Sequence, residues 1–269
     1  MLKKLGLAMA IGALSLSSYA ANDVPAKPGT KAEAIQQKDM ANLSTVSKQM
    51  KEYFGGDITN YVSETNIPNA YLVTLNDGTN MIYFKDTKFA VVGDMYDLKE
   101  KKNMTRSLLS DYNAEILKTF AEKGIHYQAT NTDKGVETVY VFTDPTCGYC
   151  RKLHHERADY NANGINLVYL PYSRSGPGTF SYNELVDVFC SGDRVAAMDL
   201  AKSDKGDQIK SMPNYKVEES CKQEVAEAQA AGQRLGVTGT PALFTADGHF
   251  FPGYVEAAKL RNYIEEAKK

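Results

Sequence analysis

Two cysteines separated by two residues are the strongest chemical feature of the sequence, in the motif Cys147-Gly148-Tyr149-Cys150. An apolar, strand-like segment (137–142) precedes the motif, and a segment without glycine or proline that can form a helix follows it. A cysteine that opens a helix lies near unpaired N–H groups and the positive end of the helix dipole, which stabilise a thiolate. We therefore predict that Cys147 attacks disulfides and that Cys150, one turn further, is the resolving thiol. Gly148 and Tyr149 are expected to tune the thiol pKa and to contact the substrate.

The same spacing also occurs in zinc and haem sites. Zinc sites normally need a second closely spaced ligand pair, but the other cysteines, Cys190 and Cys221, are far apart, and no histidine pair nearby completes a usual pattern. Haem attachment needs a histidine after the second cysteine, where this chain has Arg151. A purely structural disulfide would not explain the strand-to-helix setting. We predict a redox-active pair without metal or cofactor.

Cys190 and Cys221 lie in two segments that we predict to be helices inserted in the C-terminal part. A disulfide between them would close a loop of about 32 residues and stabilise the fold by roughly 3–4 kcal/mol on the chain-entropy model. We predict a structural disulfide. The alternative, a second exchange pair, lacks the close spacing and the helix-opening position of the first pair.

The N-terminus has the parts of a secretory signal peptide over residues 1–20: two early lysines, an apolar run at 5–16, and small residues up to Ala20. The apolar run is about a dozen residues, shorter than the ~20 that a spanning helix needs, so we predict cleavage rather than an uncleaved anchor. Four cysteines suit an oxidising compartment. The formal charge of -2 and the lack of a dense basic block argue against nucleic acid as a partner.

The remaining chain is long enough for two domains, which we place at 21–100 and 124–269. After a polar helical segment (31–54), three short strands separated by turns are predicted: 70–75, 81–84 and 89–92. So small a sheet leaves strand edges unpaired, which suggests self-association through an edge. Apolar residues at spacings of three and four predict one amphipathic helix over 101–123, either a linker or an ordinary packed helix.

The C-terminal part begins with a βαβ unit, in which strands at 137–142 and 165–170 flank a helix over 150–161. Helices at 183–202 and 217–235, a hairpin around Asp247-Gly248 and a last helix complete the order. This order predicts an α+β or α/β fold: a thioredoxin-like domain with a helical insertion. Residues 236–241 read as a turn before a strand. We interpret His154 and His155 as a solvated pair and Asp144 as a turn or capping acid rather than as proton-transfer groups.

The combined motifs resemble the periplasmic disulfide isomerases of the DsbC type. The resemblance rests on the signal peptide, the small strand-rich domain, the helix that follows it, and four segments of the C-terminal part: 141–144 before the CxxC motif, 158–161, 236–242 and 252–254. It implies a periplasmic homodimer paired through the N-terminal domains, with two Cys147 sites facing a shared apolar cleft that binds misfolded, disulfide-containing exported proteins. It also implies that Thr240 and a cis Pro241 contact the substrate beside the motif, and that a membrane thiol reductase of the DsbD type keeps the pair reduced.

Two other functions remain open from the residues alone. A dithiol oxidase or reductase of the same fold would use the same cysteines, and the redox state of Cys147 in cells would separate it from an isomerase. A holdase chaperone would use the apolar cleft, and its activity would survive the loss of both Cys147 and Cys150.

Overall fold

The computed structural model describes residues 31–56, 59–76, 78–133 and 135–267, with side chains from residue 43 onward except at 59 and 60. The predicted signal peptide (1–20) and the proline-containing segment after it lie outside the described residues. The chain falls into two units, 1–40 and 41–269. Of the first unit only 31–40 are described, and they are helical.

The described residues form eight α-helices and eleven strands. The helices are α1 (Lys31–Phe54), α2 (Met104–Lys118), α3 (Gly148–His155), α4 (Arg157–Ala162), α5 (Phe180–Phe189), α6 (Arg194–Lys202), α7 (Glu219–Arg234) and α8 (Ala257–Ala267). The strands are β1 (Thr59–Glu64), β2 (Ala70–Leu75), β3 (Asn80–Phe84), β4 (Phe89–Val92), β5 (Tyr96–Asp97), β6 (Lys102–Asn103), β7 (Ile125–Tyr127), β8 (Glu137–Thr143), β9 (Ile165–Pro171), β10 (Ala242–Thr245) and β11 (Phe250–Pro252). A 3-10 helix (Gly206–Ser211) follows α6.

The N-terminal sheet is an antiparallel meander in the order β1-β2-β3-β4. All six residues of β2 are buried because both faces of the sheet are covered: Val46 and Met50 of α1 pack on one face, and Leu108 and Leu109 of α2 on the other. The turn from β2 to β3 ends at Gly78, whose φ of +82° is a conformation that glycine adopts without strain. The three predicted strands are present. The fourth, β1, has only two apolar residues and was not predicted.

Helix α2 is shorter than the predicted 101–123, because Lys102 and Asn103 pair with β5 before the helix begins. Asn103 caps the helix by accepting a hydrogen bond from the Arg106 N–H at 3.0 Å. The helix packs at both ends, since Leu108 and Leu109 contact the N-terminal sheet while Leu117 lies in the core of the C-terminal part. It is therefore a packed helix that joins the two sheets.

The C-terminal sheet has the strand order β11-β10-β8-β9-β7, with β8 and β9 parallel and the other pairs antiparallel. Alternate residues of β8 enter two separate cores: Val139 and Val141 on one face, Tyr140 and Phe142 on the other. The predicted βαβ unit, hairpin and last helix are present. The edge strand β7 has only three residues and was not predicted.

Two helices that the sequence predicts as continuous are broken. The segment 183–202 forms α5 and α6, separated by Ser191-Gly192-Asp193, and Asp193 caps α6 through the Ala196 N–H at 3.0 Å. The segment 150–161 divides into α3 and α4 at Glu156, whose backbone departs from helical geometry. No helix in the described parts of the chain is long and apolar enough to cross a membrane.

Candidate active site

Cys147 lies immediately before α3, at the end of the loop that follows β8. Its backbone is extended (φ -83°, ψ 122°), and its carbonyl accepts the first hydrogen bond of the helix, from the Arg151 N–H at 3.0 Å. The Cys147 side chain is 4% exposed and that of Cys150 is 1% exposed, and both are free thiols. The strand, loop and helix thus place the two sulfurs together at the carboxyl end of the parallel strands.

The two thiols differ in acidity. The pKa of Cys147 lies well below its ordinary value because Cys150 donates a hydrogen bond to its sulfur. Hydrogen bonds from Thr240 and from the Cys150 backbone, and the charge of Arg174, act in the same direction and outweigh burial. Burial raises the pKa of Cys150, and its hydrogen bond to Cys147 raises it further. This environment favours a thiolate on Cys147 and a protonated Cys150.

Thr240 and Pro241 lie beside the motif, joined by a cis peptide bond. The Cys147 thiol donates to the Thr240 carbonyl at 3.2 Å. The Thr240 hydroxyl is buried and has no hydrogen-bond partner among the described residues. It becomes a donor to the sulfur once Cys147 ionises, which agrees with the lowering of the pKa of Cys147 by Thr240.

Asp144 organises the loop that carries Cys147. Its buried carboxylate accepts hydrogen bonds from the Thr146 N–H (2.8 Å) and hydroxyl (2.7 Å), and from the backbone N–H (3.0 Å) and Nε (3.1 Å) of Arg174. Burial raises the pKa of Asp144, but the hydrogen bonds from Thr146 and Arg174 outweigh it and bring the pKa below its ordinary value. Asp144 is a turn acid, as predicted, and it also holds Arg174 close to the thiols.

The surface beside the motif carries two tyrosines. Tyr149 is 63% exposed, and its ring stacks on Tyr254 with a centroid distance of 6.1 Å. Lys152 lies over the Tyr254 ring at 4.2 Å and hydrogen-bonds its hydroxyl at 2.8 Å, and the same hydroxyl donates to Glu156. These contacts hold Tyr254 in place, so Tyr149 presents an ordered aromatic surface next to Cys147.

The interpretation of His154 and His155 as a solvated pair is wrong for His154, whose side chain is buried, and fits only His155. His154 lies four residues after Cys150 and therefore on the same inward face of α3. Its ring contacts Tyr127 and Tyr169, and its Nε2 is 2.9 Å from Asp199 Oδ1, although the two atoms are not aligned for a hydrogen bond. Burial, together with Arg157, Lys202 and His155, lowers the pKa of His154 to about 3.

Cys190 and Cys221 are joined by a disulfide with a Cα–Cα distance of 5.3 Å. Cys190 ends α5 and Cys221 lies in the first turn of α7, so the bond connects two helix termini rather than two helix interiors. Within the described ranges, no three His, Cys, Asp or Glu side chains form a group that could hold a metal ion.

Three residues around the thiols were not predicted: Arg174, Lys202 and Tyr254. Arg174 follows β9, and loops after neighbouring parallel strands meet at one edge of a sheet, so its position after a strand was a usable signal. Lys202 lies four residues after the buried Met198, on the apolar face of α6, where a lysine is unusual. Tyr254 follows the hairpin, and its signal was that segment 252–254 is one of the four that carry the family resemblance.

Comparison with known proteins places this geometry in a family. Residues 127–268 match the family model described as a thioredoxin-like domain. The thiol:disulfide interchange protein DsbC of Salmonella typhimurium is 34% identical over 75% of this chain and 80% of that protein. DsbC of Escherichia coli K12 is 33% identical over the same shares. Among solved structures, Proteus mirabilis ScsC in a transitional conformation aligns at a TM-score of 0.46, with 18% identity over 59% of this chain and 82% of that chain.

The family is established by the sequence matches, which extend beyond the thioredoxin-like domain. The relatives at 33–34% identity cover three quarters of the chain, more than the 127–268 segment alone. The chain therefore belongs to the DsbC family of thiol:disulfide interchange proteins and carries its thioredoxin-like domain in the C-terminal part.

Proposed function

We propose that this protein is a periplasmic disulfide isomerase that rearranges non-native disulfides in exported proteins. The observation that carries the proposal is the pairing of an acidic thiol with a protonated, buried thiol at the start of α3, because that pair can both form and release a mixed disulfide.

Isomerisation begins when the Cys147 thiolate attacks one sulfur of a substrate disulfide. A bond forms between Cys147 and that sulfur, and the other substrate sulfur leaves as a thiolate with the electron pair. This thiolate attacks another disulfide of the substrate, and a substrate thiolate finally displaces Cys147, so no net electrons are transferred. If rearrangement stalls, Cys150 attacks Cys147, closes the Cys147–Cys150 disulfide and releases a substrate reduced by two electrons.

Substrate contacts are proposed for Gly148, Tyr149, Thr240 and Pro241. The Thr240 carbonyl accepts the thiol proton of Cys147 only while that thiol is protonated. When Cys147 is a thiolate, the carbonyl is available to a backbone N–H of an extended substrate. Gly148 has open space around its Cα, so a chain can approach the motif closely, and the exposed ring of Tyr149 offers an apolar surface.

A homodimer through the N-terminal region is the second part of the proposal. Strand β4 is the outer strand of its sheet, and no described strand pairs with its free edge. Three of its four side chains are large, apolar and exposed: Phe89 at 70%, Val91 at 54% and Val92 at 67%. An exposed apolar edge strand is a surface that proteins normally cover or pair. A second copy of the chain supplies an identical edge.

Cellular partners follow from the proposed compartment. Export by the predicted signal peptide would place the protein among oxidised clients, where an isomerase stays active only if its dithiol is re-reduced. We propose that a membrane thiol reductase of the DsbD type performs this step by reducing the Cys147–Cys150 disulfide. The proposed domain limits are 21–100, 101–123 and 124–269.

The test is recovery of activity in a scrambled multi-disulfide enzyme incubated with the reduced protein. We expect Cys147→Ser to lower the recovery rate by at least about a thousandfold, since it removes the nucleophile. Cys150→Ser is the matched control, because it keeps the attacking thiol and should accumulate mixed disulfides. Full activity of Cys147→Ser would refute the proposal. A Cys147–Cys150 pair found mainly oxidised in cells would indicate an oxidase instead.

A further inference from the structure

A buried lysine of the helical insertion is hydrogen-bonded to the start of the loop that carries Cys147. Lys202, the last residue of α6, is 1% exposed, and its Nζ donates to the Thr143 hydroxyl at 2.7 Å and to the Asp144 carbonyl at 2.9 Å. Both acceptors lie at the point where β8 ends and the loop to Cys147 begins. A buried lysine is rare because desolvation of its charge is unfavourable, so its retention beneath a reactive motif requires an explanation.

The hydrogen-bonding partners of Lys202 are neutral oxygens. The carboxylate of Asp144, the nearest acid on that loop, is instead bound by Thr146 and Arg174. An ammonium held only by neutral acceptors loses its proton more readily than one in an ion pair. In agreement with this arrangement, burial lowers the pKa of Lys202 to about 8, although the negative charges of Cys150, Asp144 and Cys147 raise it.

Lys202 and Cys150 both interact with the backbone of one residue, Asp144. The lysine donates to the Asp144 carbonyl, and the Asp144 backbone also acts on Cys150 by lowering the pKa of its thiol. Lys202 interacts electrostatically with titratable and charged groups on three neighbouring elements. They are Cys147, Cys150, Arg151 and His154 at α3, Asp144 after β8, and Glu184 on α5. Of these groups, Cys150 is the buried acid whose pKa is raised and which must nevertheless ionise in the resolving step.

We propose that Lys202 is the internal proton acceptor for Cys150 in the resolving step. Cys150 is 1% exposed, so bulk water has little access to its thiol. A buried amine on α6, which packs against the helix that carries Cys150, can take the proton without a path to solvent. The inference rests on the proposed exchange roles of Cys147 and Cys150 and adds the group that makes the second thiol reactive.

The step balances without any external oxidant. The Cys150 proton passes to the neutral Lys202 amine, leaving a thiolate beside an ammonium. The thiolate attacks Cys147, forms the Cys147–Cys150 bond and breaks the bond between Cys147 and the substrate sulfur. The substrate sulfur leaves as a thiolate with the electron pair, the substrate is reduced and the dithiol is oxidised. The ammonium then returns its proton to the medium.

The test is a stopped-flow experiment that separates the reactions of the two thiols in time. The reduced protein is mixed with an aromatic disulfide, dithiobis-nitrobenzoate, whose released thiolate absorbs visible light. Attack by Cys147 releases the first aromatic thiolate, and attack by Cys150 on the resulting mixed disulfide releases the second. We expect Lys202→Met to slow the second phase at least about tenfold, the lower range for loss of a proton-transfer group, and to leave the first phase nearly unchanged. Lys205→Met, which changes an exposed lysine three residues further on, is the matched control.

The pH profile distinguishes proton transfer from a structural role. In the unaltered protein the second phase should accelerate as Lys202 loses its proton near pH 8, and Lys202→Met should remove that inflection. An unchanged second phase and inflection in Lys202→Met would overturn the inference while the first phase still supports exchange by Cys147. Absence of the first phase in the unaltered protein would contradict the proposed function itself.

A second variant keeps the inference testable if Lys202→Met does not fold, as judged by far-ultraviolet circular dichroism. Thr143→Val preserves the shape of the side chain but removes one acceptor of the ammonium, which should lower the pKa of Lys202. The inflection of the second phase should therefore move to lower pH. An inflection that stays in place would overturn the inference.

Discussion

The two sheets of this protein differ in how completely they are covered. In the C-terminal sheet, β8 lies between two other strands, and its alternate residues enter two buried cores, one on each face. In the N-terminal sheet, β2 is equally buried, but β4 exposes all four residues at the outer edge. The C-terminal sheet encloses its apolar surface, whereas the N-terminal sheet leaves apolar side chains exposed on β4, where another molecule could cover them.

In the proposed function, the C-terminal part performs thiol exchange and the N-terminal part mediates self-association. The C-terminal part contains the thiols, the loop of Thr240 and Pro241, and the buried groups that set thiol acidity. The residues found to act on the thiols in the described part of the chain, Thr240, Arg174 and Lys202, all belong to the C-terminal part. Changes at the edge of the N-terminal sheet should therefore affect association and the handling of large substrates, while changes in the C-terminal part should affect stability or thiol chemistry.

The largest expected effect is a loss of stability that is confined to the C-terminal part of the whole protein. Replacing Cys190 and Cys221 together by alanine should lower the free energy of unfolding by roughly 3–4 kcal/mol, because the open chain regains loop entropy. Urea unfolding followed by circular dichroism measures this change. The alkylation rate of Cys147 in the folded protein should stay the same, and a large change in that rate would mean that the disulfide also shapes the active site.

A smaller effect is expected from a charge placed on β4. Val91→Arg should weaken self-association by about 2 kcal/mol or more, because an unpaired charge would be buried in the interface. Analytical ultracentrifugation measures the association. Val136→Arg is the matched control, since Val136 is also an exposed valine (43%) but lies in the C-terminal part.

Both outcomes of this comparison are informative. If Val91→Arg dissociates the protein, its reaction with a small aromatic disulfide should be unchanged while its activity on scrambled proteins falls. If association is equal in the two arginine variants, β4 is not the interface and the proposed dimer is wrong.

The smallest effect, taken over one pH unit, is a pH dependence that belongs to the C-terminal core. The unfolded chain protonates His154 below its ordinary pKa of 6.5, whereas the folded chain does so only near 3. Between these values the unfolded state binds more protons, so stability falls as the pH falls, by at most about 1.4 kcal/mol per pH unit. His154→Gln should flatten this slope in urea unfolding measured across the window. His155→Gln, which changes the exposed neighbour, is the control. An equal flattening of the slope in this variant would exclude His154 as its cause.

Several elements were predictable because their signals are local. The βαβ unit around the CxxC motif, the hairpin near Asp247-Gly248 and the three apolar strands follow from periodicity and turn residues. The breaks at Glu156 and Ser191-Gly192-Asp193 were missed, and so were β1 and β7. A short strand with few apolar residues is stabilised by its neighbour in the sheet, which a local pattern cannot reveal.

The sequence by itself indicated the kind of chemistry and predicted which cysteine attacks and which resolves, because a CxxC motif between a strand and a helix favours these roles through local geometry. Only the tertiary structure decided that Arg174 and Lys202 act on the thiols, and how Thr240, which the resemblance places beside the motif, does so. Thr240, Arg174 and Lys202 come from three segments remote from the motif, and their effect depends on burial and on distances between elements. The burial of His154 was decided in the same way, since a helix face is polar or apolar only in relation to what packs against it.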